Sequence, residues 1–206
     1  METEIVSAVS DDQRADVIVD AASRLCLAPG AGRMSMDDLA HELGMSKKTI
    51  YRHFPDKRSL LTAVLDRQFA AIQGTLEAAA EETRGRPFGA RVQGFLLAAG
   101  VELGRIGAAQ LAIGRGDAVL RRQVEQRNDA VVYQRLDELL RDGHRNGLLS
   151  APPELLGQVI RGAVERLLNS QLPRELNSSA ADLLRATVDT VLYGAIRPGD
   201  EQEAGS

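Results

Sequence analysis

Apolar positions recur at helical spacing in separate stretches along the chain. Asp11–Leu27 carries Val17, Ala21 and Leu25 beside Ile18 and Ala22 on one side, which predicts a first amphipathic helix. Pro29-Gly30-Ala31-Gly32 breaks it. Ser35 can cap a second helix running to about Leu43, with Asp38 three residues on as a weaker stand-in for the usual Glu or Gln. Gly44 follows, where a left-handed residue costs least. Ser46 can cap a third helix through about His53, which Pro55 stops. Asp56 caps a long helix to about Glu82, with Leu60, Leu61, Val64, Leu65, Phe69, Ile72 and Leu76 along one side.

Gly85-Arg86-Pro87 ends that helix. From Pro87 to Gly116 the chain is apolar but punctuated by Gly94, Gly100, Gly104, Gly107 and Gly114, which predicts short or irregular helices. Asp117–Gly143 reads as a long charged helix burying Val124, Val131, Val132, Leu136, Leu139 and Leu140. Asn146-Gly147 is a turn. Pro152–Gln171 and Ser178–Tyr193 are two further amphipathic helices. Residues 1–10 and 197–206 read as disordered tails. The sum is an all-α chain of about nine helices, with no alternating stretch that predicts a strand.

Composition sharpens this. Seven aromatics in 206 residues leave Leu, Val, Ile and Ala to fill the core, which favours packed helices. No apolar run approaches the length of a membrane-spanning helix, and the N-terminus carries no signal-peptide pattern. The lone Cys26 has no internal disulfide partner and is expected as a small core residue in a reduced, cytoplasmic setting.

Charge is where chemistry enters. All three lysines lie between Lys47 and Lys57. Over Met45–Arg58 there are five basic residues and one acid, so this window is +4 while the whole chain is −4, leaving −8 elsewhere. A local positive patch on an acidic protein is an electrostatic footprint of phosphate binding. The two short helices around Gly44 form a helix-turn-helix: Ala40 allows close crossing, Leu39, Leu43 and Ile50 form a small core, and Lys47, Lys48, Thr49, Tyr51 and Arg52 face outward. At the start of a recognition helix, lysine can reach guanine O6/N7 and threonine a thymine methyl.

The run from Gly44 to Leu61 resembles the signature of TetR-type bacterial transcriptional regulators. The matching features are the Gly-x-Ser turn, Thr49-Ile50-Tyr51, His53-Phe54, and Lys57 before a Leu-Leu helix start. The resemblance implies a helix-turn-helix head over 11–55 and a larger helical regulatory and dimerisation body over 56–196. It implies DNA contacts at Ser35, Lys47, Lys48, Thr49, Tyr51, Arg52 and His53, with Lys57 holding a phosphate. One departure is the acidic segment before the first helix (Glu2, Glu4, Asp11, Asp12), where such proteins often carry a basic arm.

Two wide apolar stripes close the chain. Leu156, Val159, Ile160, Ala163, Val164, Leu167 and Leu168 with Leu184, Val188 and Val191 are the expected homodimer surface, two helices from each chain closing a four-helix bundle. The family resemblance further implies a small effector, expected to be apolar, with Phe69, Phe95, Leu96, Leu111 and Tyr133 as candidate lining residues. His41-Glu42 lacks the second histidine of a zinc-protease motif, since position 45 is Met45. No histidine or cysteine spacing suits a metal, and no catalytic arrangement or cofactor loop stands out. The expected function is a ligand-responsive repressor, bound as a homodimer to a palindromic DNA operator. The alternatives are a ligand-independent DNA-binding or architectural protein whose body only dimerises, and an all-helical enzyme or binding module with a vestigial head.

Overall fold

In the computed structural model the described residues are 11–27, 34–114, 117–168, 175, 177–178 and 180–195. Among them there are eight helices and no strand. These are α1 (Asp11–Leu27), α2 (Met36–Leu43), α3 (Lys47–His53), α4 (Lys57–Glu82), α5 (Phe88–Gly114), α6, α7 (Pro153–Leu168) and α8 (Ala180–Ala195). Helix α6 runs unbroken through Ala118–Asn128, a π-helical turn over Asp129–Tyr133, and Gln134–Arg145. No helix among the described residues is long and apolar enough to cross a membrane, and no group of His, Cys, Asp and Glu there could hold a metal ion.

The chain forms two compact units. The first takes the described residues up to Gln68 together with Ala108–Val124; the second takes Phe69–Gly107 and the described residues from Glu125 on. In the first, α1 packs on α2 and α2 on α3. Ile18, Ala21, Ala22, Leu39, Ile50, Leu60, Val64 and Leu65 are buried at its centre. The buried side of α1 is turned from the expected one: Val17 is exposed, and Val19 and Cys26 are buried with Ile18 and Ala22. Burial pushes the Cys26 thiol above its ordinary pKa, which disfavours the reactive thiolate. Asp56 caps α4 as expected, accepting from the Ser59 N–H at 2.7 Å. Asp117 caps α6, accepting from the Val119 and Leu120 N–H groups and from Arg58 Nε at 2.9 Å.

In the second unit the glycine-rich stretch departs from expectation. It is one 27-residue helix, not several short ones. The physical reason is contact. A Cβ on Gly100 would lie 1.7 Å from Leu184 Cδ2, so the bare backbone is the seat for a leucine of α8. Likewise the Phe88 ring lies against Gly143 of α6. Each helical glycine costs about 1 kcal/mol relative to alanine, and close packing of a neighbour offsets it. Helix α7 packs against both α8 and the second half of α6.

The two terminal stripes are split between two destinations. Leu156, Ile160 and Val164 of α7 and Leu184, Val188 and Leu192 of α8 are buried within the chain. This corrects the expected dimer surface, because Leu156, Ile160, Val164, Leu184 and Val188 belong to the chain's own core. Val159 is 45% exposed, as is its neighbour Leu155 at 56%, and Ala163, Leu167 and Val191 are half-buried. The side chain of Leu168 lies outside the described residues.

Candidate nucleic-acid interface

Helix α3 is only seven residues long, so its ends must be fixed by side chains rather than by its own ladder. Ser46 sits at the N-cap in extended geometry, and its Oγ accepts from the Thr49 N–H at 3.1 Å and shares a second hydrogen bond with Thr49 Oγ1 at 2.9 Å. At the other end the Phe54 N–H donates to the Ile50 carbonyl before Pro55 stops the helix. Gly44 takes the left-handed conformation (φ 60°, ψ 27°) that lets α2 turn into α3. Helix α2 is held by a complete capping box: Ser35 Oγ accepts from the Asp38 N–H, and Asp38 accepts from the Ser35 N–H, both at 3.0 Å. Hydrogen bonding to Ser35, side chain first and then backbone, holds the Asp38 carboxyl below its ordinary range.

With Ile50 fully buried, Lys47, Lys48, Tyr51 and Arg52 are exposed on α3 and Thr49 is half-buried with its hydroxyl engaged in the cap. Three cations and a phenol on one short helix can reach phosphates and base edges. His53 does not join them. Its side chain is only 7% exposed, with Nε2 buried, lacking a hydrogen-bond partner and 3.9 Å from Asp11 Oδ1. The ring expected to contact DNA is turned inward at the end of α3 in the unbound chain. Lys57, at the first turn of α4, donates from Nζ to the Met34 carbonyl just before the α2 cap. An ammonium has three donors, so this contact ties the starts of α2 and α4 together and leaves others for a phosphate.

Two ion pairs of α3 escaped the sequence reading. Asp37 of α2 pairs with Lys47 at 2.5 Å, and Asp11 of α1 pairs with Arg52 at 3.5 Å. The available signal was the absence of any acid in the first turn of α3, where two lysines crowd the positive end of the helix dipole. Asp37 raises the Lys47 pKa, through hydrogen bonding and then charge.

A model of the bacterial regulatory proteins of the tetR family matches residues 18–64, the segment holding this helix-turn-helix. These residues match a TetR-type helix-turn-helix. The HTH-type transcriptional regulator SrpR of Pseudomonas putida is 28% identical over 191 residues, 90% of this chain and 76% of that protein. Among solved structures, the TetR family transcriptional regulator PfmR of Thermus thermophilus has a TM-score of 0.64 at 20% identity, over 85% of this chain and 97% of that one. A protein of unknown function from Rhodococcus sp. RHA1 has a TM-score of 0.75 at 18% identity, over 95% of this chain and all of that one. At such identities these two structures show the shared fold alone. The matches together support a DNA-binding transcriptional regulator of the TetR type, with α3 inside the matched segment.

The effector candidates fare differently from the head. Within the second unit an open cleft of about 240 Å³ is lined by Ala80, Thr83, Arg91, Phe95, Arg135, Glu138, Leu139, Asp142 and Arg145. Of the five expected lining residues only Phe95 reaches it. Phe69 and Leu96 are packed core, and Tyr133 lies under the Arg161 guanidinium, 4.0 Å from its ring centre. The side chain of Leu111 lies outside the described residues.

Proposed function

We propose that this regulator is a repressor that binds an inverted-repeat operator as a homodimer and releases it on binding a small effector. The observation that carries this reading is the exposed cationic face of α3, on a chain whose remaining residues are net acidic. One recognition helix contacts too few base pairs for useful specificity, and two-fold pairing doubles the site. Leu155 and Val159 supply the pairing face. They stand exposed on α7 beside its buried positions, and a two-fold contact covers the same residues on both chains.

The effector site is the charged cleft beside Phe95. Three arginines and two carboxylates around Phe95 and Leu139 suit a molecule with an apolar body and a polar or ionised end, in place of the purely apolar one expected from composition. Release requires the effector to favour a body conformation in which the two heads no longer match the half-sites.

The test is selection of bound duplexes from a random pool. An enriched inverted repeat, with a single half-site binding far more weakly, is the expected result. An enriched sequence without two-fold symmetry would overturn the dimeric part of the reading.

A further inference from the structure

The cations of α3 are not equally available. Lys48 has no ion pair among the described residues, whereas Lys47 is held by Asp37 and Arg52 by Asp11. Each restraining acid comes from a different helix, one at each end of α3. Both carboxylates are more exposed than the cations they hold: Asp37 is 70% exposed against 51% for Lys47. They therefore reach the same outward surface as the recognition helix.

We propose that Asp37 is a positioning residue that sets discrimination between operator and random DNA by holding Lys47 off phosphates. The proposal rests on the reading of α3 as the recognition helix and names a specificity determinant for it.

The physical basis is a difference between two kinds of acceptor. A phosphate that takes the Lys47 ammonium brings a full negative charge beside the Asp37 carboxylate, and like charges repel. A guanine edge offers O6 and N7, neutral acceptors that bring no such repulsion. Because an ammonium has three donors, Lys47 can keep one on Asp37 while giving another to the base. Asp37 thus penalises the contact that every sequence offers and spares the contact that only the right sequence offers. Phosphate contacts supply most of non-specific affinity, so suppressing one of them widens the gap. Asp37 has a second effect on the same lysine: it provides the negative charge that the first turn of α3 lacks, and so holds Lys47 in place before DNA arrives. Asp11 repeats the arrangement on Arg52 at the far end of the helix.

The experiment measures affinity by fluorescence anisotropy across a salt series, on the best duplex selected from a random pool and on random-sequence duplex. Asp37→Asn should raise affinity for random duplex severalfold and steepen its salt slope by about 0.9 per head, one added phosphate contact. The selected duplex should gain less, so the ratio between the two falls. Asp37→Glu should restore the wild-type ratio. In a Lys47→Ala background, Asp37→Asn should change neither duplex. Equal gains on both duplexes, or a gain that persists in the Lys47→Ala background, would overturn the proposal, because Asp37 would then be acting as a diffuse charge. If Lys47→Ala alone leaves affinity for both duplexes unchanged, the recognition-helix reading fails, and the proposal fails with it.

Discussion

Gly44 is the residue on which the turn of the head depends. Its φ of +60° lies where an L-residue is strained, and no atom stands within 4 Å of the position a Cβ would take. Gly44→Val should therefore destabilise through backbone strain alone, by about 1–2 kcal/mol or somewhat more for a β-branched side chain. Thermal melting followed by circular dichroism reads this directly; an unchanged melting temperature would mean that the turn relaxes without cost. Asp38 gives a pH signature. Its carboxyl is held below its ordinary value by Ser35, so its capping contribution is present above the unfolded carboxylate pKa, near 4, and is lost as pH falls through the lower folded value. Asp38→Asn should flatten the acid limb of the stability profile below about pH 4 and leave its slope near neutrality unaltered. A steep acid limb that survives the substitution would assign the loss to other carboxylates. The roles of Gly44 and Asp38 are legible in the sequence, because caps and left-handed turns are local chemistry. That of His53 is not: its neighbours along the chain do not reveal that the ring turns inward toward Asp11 at the end of α3.

At the scale of the element, helix starts and stops follow the sequence closely, and failures come where tertiary contact overrides local preference. Helix α5 is the clearest case. Its glycines predict breaks, yet the helix is continuous because Gly100 accommodates Leu184 of α8. Gly100→Ala should drive its methyl into Leu184 and cost about 1–3 kcal/mol as an overpacked core, although alanine alone is the better helix former. Pairing it with Leu184→Ala should recover part of that loss in a double-mutant cycle. Strictly additive destabilisation would mean that the two residues do not share the contact. The π-helical turn over Asp129–Tyr133 is equally hidden, since the spacing of Val132, Leu136 and Leu140 is compatible with an ordinary helix. On α7 the signal is present but easily misassigned. Adjacent apolar pairs (Leu155-Leu156, Val159-Ile160, Ala163-Val164) make a stripe too wide for one contact, which points to two faces. Periodicity gives the width of such a stripe and not which half the chain itself covers.

For the whole molecule, the proposed dimer assigns folding to one face of α7 and assembly to the other. Leu155→Asp with Val159→Asp alters only exposed positions. The double variant should sediment as a monomer, keep its helical content and lose affinity for an inverted repeat. Val164→Asp, by contrast, places a charge in the chain's own core and should lower the melting temperature at any concentration. A double variant that still sediments as a dimer would put the pairing face elsewhere. The recognition function itself is tested most directly at Lys48, the cation of α3 without an ion pair among the described residues. The decisive measurement is the affinity of Lys48→Ala, against wild type, for the pool-selected duplex and for variants substituted at each base pair in turn. Base readout predicts a loss of about 1–3 kcal/mol on the selected duplex, with preference relaxed at one pair of symmetry-related positions and unchanged elsewhere. A uniform loss on every duplex, with no position relaxed, would contradict it and reduce α3 to a phosphate clamp.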